Sequence, residues 1–395
     1  MHISAPSWIE IDSDALSNNV RVVKNILRPP AGLLAVVKAD AYGCGAVEVS
    51  RVVLEAGADW LGVTTLEEGQ ELRRAGITAP VLLLSPLLPA EIPAAVRGGL
   101  VLTVSSREEV EAAAAAGREL GCRARVHLEI ETGMNRTGLK PAEAIALARE
   151  ISRWPEICLE GISTHLAEAA SRKKTFEQFS LFQQTCAEIE AAGIRLSVKH
   201  ICNSAATLLY PQMHGDLVRV GTLLYGHFPL GVGAYELDLR DVWRACARIL
   251  ALKEIPKGAR VGYGGDYVAR RSMKVAVINI GYADGFAVSP IGRPKNLLDL
   301  ARFIAKDILA FMGRKGPRVQ IGRHWFPVVG RVGMQLSLVD VSRLPGVKVG
   351  DIVEIPLWRA VASSRLPRVY LRSGQPYRLR TAQGEIISLE GGLMS

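Results

Sequence analysis

From Gly32 to Gly226 the chain alternates between short apolar runs rich in β-branched residues and longer segments of helical period. That is the pattern of repeated β–α units around a parallel sheet. Eight runs are predicted as strands: Leu33–Lys38, Trp60–Thr64, Val81–Ser85, Val101–Ser105, Arg125–Ile130, Leu159–His165, Val198–Asn203 and Leu217–Leu224. Between them, Ser106–Glu119 carries an alanine run, and Thr175–Ala192 sets Phe179, Phe182 and Ile189 on one side of a helix. Eight parallel strands in this length predict an α/β fold, a TIM (β/α)8 barrel over residues 1–240. A first strand at 6–11 is assigned either to the barrel or to the domain that follows it.

After Asp241 the helical alternation stops, and β-branched runs such as Lys274–Ile280 and Pro327–Gly330 lie between glycine turns. A mostly β C-terminal domain is predicted over 241–395. In Asn296–Met312, Leu297, Leu300, Ile304, Ile308 and Phe311 recur at helical spacing and predict an inserted amphipathic helix. Residues 358–383 are rich in Arg, Ser and Gly with little periodicity, so an extended or poorly ordered basic tail is expected there.

The 395 residues are 49% hydrophobic, enough for a large core. The first twelve residues lack a basic start followed by an apolar stretch, and no run reaches the roughly 18 apolar residues that cross a bilayer, so a cytoplasmic location and no membrane partner are expected. Cys44, Cys122, Cys158, Cys186, Cys202 and Cys246 are scattered without a CxxC pair or metal-ligand spacing, which predicts reduced structural thiols and no metal site. The net charge of +9 is uneven: residues 1–239 hold 22 Lys+Arg against 28 Asp+Glu, and residues 240–395 hold 26 against 11. The basic half has no basic helix, aromatic-rich strand face or zinc motif, which argues against a nucleic-acid partner. Opposite signs favour the basic domain of one subunit lying against the acidic barrel of another, in a head-to-tail dimer.

Chemistry in a TIM barrel sits where strands end and βα loops begin. Lys38 closes the first run, Arg136 follows the fifth, His165 ends the sixth, Asn203 and Ser204 end the seventh, and Arg219 interrupts the eighth. Each alone has an ordinary structural account. Lys38 can snorkel from a strand end, His165 can be a hydrogen-bonded core histidine, Arg136 can pair with Glu129 or Glu131, and Asn203 and Ser204 can cap the next helix. Gathered at one barrel mouth, with Arg219 inside an apolar run, they point to a functional cluster. Asn203, Ser204 and Gly221 stand where such barrels bind phosphate. A neighbouring lysine suggests a Schiff base with a carbonyl, and phosphate, aldehyde and lysine together describe pyridoxal phosphate.

The motifs AVVKADAYGCG, EIETGMNRTG, GISTHLAEA, NSAATL, LVRVGTLLYG, VGYGGDY, INIGYADGF, VVGRVGMQLSLVD and KVGDIVEI, in this order, resemble the alanine racemase family across most of the chain. The resemblance implies a pyridoxal phosphate-dependent homodimer of barrel plus β domain that racemises alanine. It implies that Lys38 holds the cofactor, that Tyr42, Ser204, Gly221 and Thr222 hold its phosphate with Asn203 nearby, and that Arg219 faces the pyridine nitrogen. A guanidinium, with an ordinary pKa above about 12, does not hand a proton to the ring, which disfavours side reactions such as transamination. His165 is implied to help hold Arg219. Proton transfer on both faces of Cα needs two groups, and the resemblance implies that these are Lys38 and a tyrosine from the other subunit, here Tyr263. Its phenol has to be acidified by positive charge, for which His165 and Arg219 are the expected sources. Without the resemblance, Tyr263 reads as a packing aromatic in a glycine-rich turn. Arg136 and the Met334 backbone N–H are implied to bind the substrate carboxylate, with Tyr282 lining the entrance.

The sequence departs from the family pattern at four places. Glu129 stands where many members carry a carbamylated lysine, and is expected to orient Arg136 by a charge-assisted hydrogen bond. The usual CMD triplet reads Gly333, Met334, Gln335, which predicts a roomier pocket. The segment between GYADGF and VVGR is longer than usual, the stretch after VGDIVEI is compressed, and the gate tyrosine placed there has no clear counterpart, although Arg365–Tyr370 resembles the family's ending. A racemase for serine, lysine, ornithine or a broad range of amino acids is therefore an alternative. A related decarboxylase or aldolase is disfavoured by Arg219, and a non-catalytic cofactor-binding protein has no need of Tyr263.

Overall fold

The computed structural model describes residues 5–229, 231–233, 235–288, 294, 296–311 and 316–389. The chain divides into two compact units, Ser13–Val242, and Met1–Asp12 together with Trp243–Ser395. The strands of the chain's first two-thirds are β1 (Ser7–Asp12), β2 (Gly32–Val36), β3 (Trp60–Val63), β4 (Val81–Leu83), β5 (Val101–Val104), β6 (Ala124–Glu129), β7 (Ile157–Ser163), β8 (Val198–His200) and β9 (Leu217–Val220).

In the first unit β2 to β9 form one parallel sheet in the order β8-β7-β6-β5-β4-β3-β2-β9. Leu34 pairs with Trp60 on one side and Arg219 on the other, which seats β2 between β3 and β9. Arg219 N–H donates to the Cys202 carbonyl at 2.9 Å and Asp216 N–H to that of Lys199 at 3.0 Å, carrying the sheet round to a closed (β/α)8 barrel. Leu33, Leu34, Ala35, Val81, Leu82, Leu83 and Val101 are fully buried. Burial on both faces is why these strands read as continuous apolar runs. The helices start at side-chain caps: Thr65 accepts from Glu68 N–H and Ser106 from Glu109 N–H, each satisfying a donor the helix cannot.

The second unit adds β10 (Trp243–Ile255), β11 (Arg260–Val261), β12 (Tyr267–Val268), β13 (Met273–Ile278), β14 (Arg318–Ile321), β15 (His324–Pro327), β16 (Ser337–Asp340), β17 (Ile352–Ile355), β18 (Arg368–Arg372), β19 (Gln375–Arg380) and β20 (Ile386–Ser388). β1 lies inside its main sheet, antiparallel to β10 and parallel to β18. Trp8, Cys246 and Val369 pack together over this junction.

Of the extended or poorly ordered tail expected over 358–383, the structure has the extended form, because residues 368–388 include three strands. Val369 and Tyr370 are buried, Arg372 and Arg378 lie over the Tyr377 ring at 4.7 and 5.8 Å, and buried Arg368 donates to the Ser363 and Ser364 carbonyls, both at 3.0 Å. These arginines hid the strand pattern, since Arg368 is buried on backbone carbonyls and Arg372 and Arg378 cover the Tyr377 ring. The inserted helix spans Leu297–Phe311, opened by Asn296 accepting from Asp299 N–H at 2.9 Å; Met312, its expected last residue, lies outside the described residues. Among the described residues no helix is long and apolar enough to cross a membrane.

Candidate active site

β2 ends at Val36, not at Lys38 as the apolar run suggested. The chain then enters a left-handed turn in which Ala39, Asp40, Ala41 and Tyr42 have φ of 52, 55, 52 and 56°. That region costs a residue with a Cβ roughly 1–2 kcal/mol, so the turn is held by a set of hydrogen bonds. Ala41 N–H donates to the Val37 carbonyl at 2.8 Å, Gly43 N–H to that of Ala39 at 3.0 Å, and Ala46 N–H to the Asp40 carboxylate at 2.9 Å. Ala39 N–H reaches the Glu68 carboxylate at 2.5 Å. The turn sets Lys38 at its start and swings Tyr42 against Tyr225, ring centroids 4.7 Å apart.

Tyr42 closes on Gly221. A Cβ at 221 would lie 2.3 Å from the Tyr42 hydroxyl oxygen, so any larger residue there would have to push Tyr42 aside. Gly221 N–H donates to Ser204 Oγ at 3.0 Å. Burial raises the Tyr42 phenol above its ordinary value, which keeps it a neutral donor. Asn203 caps the helix Ser204–Leu209, accepting from Ala205 and Ala206 N–H at 3.1 Å each, so its ordinary structural role is filled.

These groups share one cavity of about 450 Å³, which all ten barrel residues singled out from the sequence line: Lys38, Tyr42, Glu129, Arg136, His165, Asn203, Ser204, Arg219, Gly221 and Thr222. Arg219 is buried in β9 and nearly all its donors are committed. Nη1 donates to His200 Nδ1 at 2.7 Å and to the His200 carbonyl at 2.9 Å. Nη2 donates to the Thr164 carbonyl at 2.8 Å, with the Ile201 carbonyl and His165 Nδ1 both at 3.3 Å. Nε–H has no acceptor among the described residues, leaving one free donor on a side chain that lines the cavity. Burial lowers the guanidinium to about 10 against the opposing pull of Cys202 and Glu129. That is below the ordinary value assumed from sequence, yet it leaves the group protonated at neutral pH.

His165 corrects an expectation. Burial, then the charges of Arg219, Arg136 and Lys38, push its imidazole down to about 3, so it is neutral at pH 7 and cannot be a source of positive charge for a tyrosine. The expected bond from Glu129 to Arg136 is also corrected: no ion pair joins them among the described residues, and the buried Glu129 Oε2 has no hydrogen-bond partner. Glu131 organises the loop instead, accepting from the N–H groups of Gly133, Met134 at 2.7 Å and Asn135 at 2.6 Å, while Arg136 stays exposed. His200, the last residue of β8, was missed by sequence reasoning, which ran that strand on to Asn203. Its signal was a histidine alternating with Val198 and Cys202 inside an apolar strand.

Tyr263, Tyr282 and Met334 belong to the β unit. Tyr263 lies between β11 and β12 among glycines 262, 264 and 265, whose φ values are 78, 71 and 61°. It is 78% exposed, so the packing account of it does not hold. Tyr282 and Met334 are exposed as well. Met334 N–H has no acceptor among the described residues, while its carbonyl accepts from Ala283 N–H at 3.0 Å. A Cβ at Gly333 would lie 2.7 Å from the Leu336 carbonyl oxygen, so this turn itself calls for glycine there.

Residues 11–229 match the model of the alanine racemase N-terminal domain, and residues 242–365 that of the alanine racemase C-terminal domain. An alanine racemase of Desulfovibrio desulfuricans is 37% identical over 350 residues, 88% of each chain. A solved alanine racemase of Clostridium difficile 630 superposes with a TM-score of 0.86 at 30% identity, covering 96% of this chain and 100% of that one. The alanine racemase of Bacillus anthracis, solved with bound L-Ala-P, gives a TM-score of 0.80 at 26% identity, covering 98% and 99%. With both domain models matched in order and the barrel-mouth geometry in place, this chain belongs to the alanine racemase family.

Proposed function

We propose that the protein interconverts L- and D-alanine with pyridoxal phosphate bound at the barrel mouth. The observation that carries the reading is one cavity that gathers the strand-end amine of Lys38, the hydroxyl cradle of Tyr42, Ser204 and Thr222 against Gly221, and Arg219 with its single uncommitted donor. The residues fit the cofactor: hydroxyls and the close glycine suit a phosphate, the amine suits an aldehyde, and Arg219 Nε–H suits a ring nitrogen. When bound, the cofactor supplies an aldehyde and an electron-withdrawing ring that make an amino acid's Cα proton removable.

The chain does the rest. Arg219 donates a hydrogen bond without losing its proton, since it titrates at about 10. That limits electron withdrawal and favours return of a proton to Cα over transamination. Lys38 Nζ moves the proton on one face and Tyr263 Oη on the other. With His165 neutral, Arg219 is the remaining candidate for acidifying the phenol. Exposed Tyr263 acts, in this reading, in the cavity of a second copy, giving a homodimer with shared active sites; the opposite charges of the two halves support a head-to-tail pairing. Arg136 and Met334 N–H bind the substrate carboxylate, and Tyr282 lines the approach. We place the protein in the cytoplasm on its six free thiols, four of them buried.

A second reading, a racemase of broader range, is favoured by one feature: Gln335 stands where a charge is usual, beside the carboxylate-binding Met334. Initial rates on a panel of L-amino acids separate the two. The main reading is tested by adding pyridoxal phosphate, reducing with borohydride and mapping the adduct, alongside an alanine racemisation assay. A pyridoxyl group on Lys38 and turnover of both enantiomers are expected. An unlabelled Lys38, or a labelled protein inert toward alanine, overturns it.

A further inference from the structure

Arg219 is one end of a buried polar chain that runs into the barrel away from the cavity. Its Nη1 donates to His200 Nδ1 at 2.7 Å. His200 Nε2 lies 2.8 Å from His127 Nδ1, and His127 Nε2 faces Glu160 Oε2 at 3.4 Å. That last contact is an ion-pair approach and not a hydrogen bond, and the buried His127 Nε2 has no hydrogen-bond partner among the described residues. Arg125 grips the other side of Glu160, with Nη2 to Oε1 at 2.7 Å and Nε to Oε2 at 3.0 Å. Both imidazoles are buried to 1% exposure or less.

The direction of every bond follows from the first. A guanidinium only donates, so His200 Nδ1 accepts. A neutral His200 then carries its proton on Nε2 and donates to His127 Nδ1. That places the proton of a neutral His127 on Nε2, which faces the Glu160 carboxylate at 3.4 Å. Burial and nearby cations hold both imidazoles below 6.5, in keeping with the neutral forms. The backbone makes room for the arrangement: a Cβ at Gly161 would lie 2.9 Å from the His127 ring, and the β6–β7 register slips at Val126/His127.

We propose that His127 and Glu160 are positioning residues for Arg219, fixing through His200 the orientation in which its free Nε–H is presented to the cavity. Glu160 balances the buried guanidinium through two neutral rings, and Arg125 anchors that carboxylate. The proposal rests on the reading of Arg219 as the residue that faces the cofactor ring, but the chain of bonds can be examined without cofactor.

The test is ¹⁵N–¹H correlation of histidine and arginine side chains in the full-length protein, with and without added pyridoxal phosphate. His127 and His200 are expected as neutral Nε2–H tautomers in both states, with slowly exchanging Arg219 Nη–H groups, which are the hydrogen-bonded ones. In Glu160→Leu, His127 should populate both tautomers and the bonded Arg219 Nη–H groups should exchange about tenfold faster, as the side chain's orientation loosens. In Arg125→Met, which removes an ion pair at the same spot but leaves the carboxylate, the tautomers should persist. A His200 proton on Nδ1 in the unmutated protein overturns the proposal, and this outcome is readable even if Glu160→Leu does not fold. Unchanged tautomers and exchange in Glu160→Leu, or identical changes in both variants, overturn it too. Absence of cofactor uptake with the tautomers as expected would instead count against the function proposed above.

Discussion

The Tyr42 hydroxyl oxygen occupies the space that a Cβ on Gly221 would need, at 2.3 Å from where that atom would be. The left-handed turn after β2 and the end of β9 thus fit together only without a side chain at 221, and both contribute to the cradle assigned to phosphate.

Gly221→Ala must therefore displace Tyr42. Overpacking of this kind costs roughly 1–3 kcal/mol, so the dissociation constant for pyridoxal phosphate should rise about tenfold to a hundredfold. Fluorescence titration of the cofactor measures it. An unchanged constant would show that Tyr42 and Gly221 do not shape the cofactor's site.

Arg219→Lys replaces five donors by three on a compact ammonium. Carbonyls of Thr164, Ile201 and His200, and His200 Nδ1, compete for them, so at least one buried acceptor loses its partner. Each unsatisfied group costs roughly 1–3 kcal/mol, and urea unfolding of the variant should show a loss of about that size. Stability equal to the parent would mean that the buried network is not satisfied by the guanidinium.

The histidines set a pH dependence. His127, His165, His200 and His214 all lie below the ordinary 6.5 because burial penalises their charged forms, with His165 at about 3. Below 6.5 the unfolded chain binds more protons than the folded one, so stability is full above that pH and falls as pH drops from 6.5 toward 3. His165 contributes about 1.4 kcal/mol per pH unit within that window, and the other three add to the loss in the same direction. Urea unfolding between pH 8 and 4.5 should show stability falling below 6.5 with a slope of at least about one proton, and His165→Asn should reduce that slope by about one. A flat profile would contradict neutral burial.

Glu131 acts through the loop that carries Arg136, with three backbone N–H groups on its carboxylate. Charge-assisted bonds of this kind are about twice as strong as neutral ones. Glu131→Ala should raise KM for alanine about tenfold, with kcat changed far less, since the loop orders a carboxylate-binding arginine and not a proton-transfer group. A fall in kcat at constant KM would assign Arg136 a different part.

The barrel was legible because its strands are buried on both faces and its helices carry their own caps, as at Thr65 and Ser106. The site was legible where residue type and strand end coincide, as for Lys38, Asn203 and Arg219. Three things were not. The left-handed turn from Ala39 to Tyr42 uses residues with no preference for that conformation, so tertiary hydrogen bonds decide it and local propensity cannot. His127 and His200 lie within strands, where a histidine reads as filler until its neighbours across the barrel are known. The strands at 368–388 were hidden by arginines whose partners are carbonyls and the Tyr377 ring. Recognition of Tyr263 came from the family resemblance, since a tyrosine among glycines carries no signal of its own beyond the exposure that the structure reveals.

The two-sided transfer of a proton at Cα is tested most directly by incubating L- and D-alanine separately in ²H₂O with the protein and with Tyr263→Phe, and following deuterium at Cα together with inversion. The unmutated protein should label and invert both enantiomers. The variant should lose inversion while still labelling one enantiomer, served by Lys38 alone. Inversion at the parental rate in Tyr263→Phe would contradict the account.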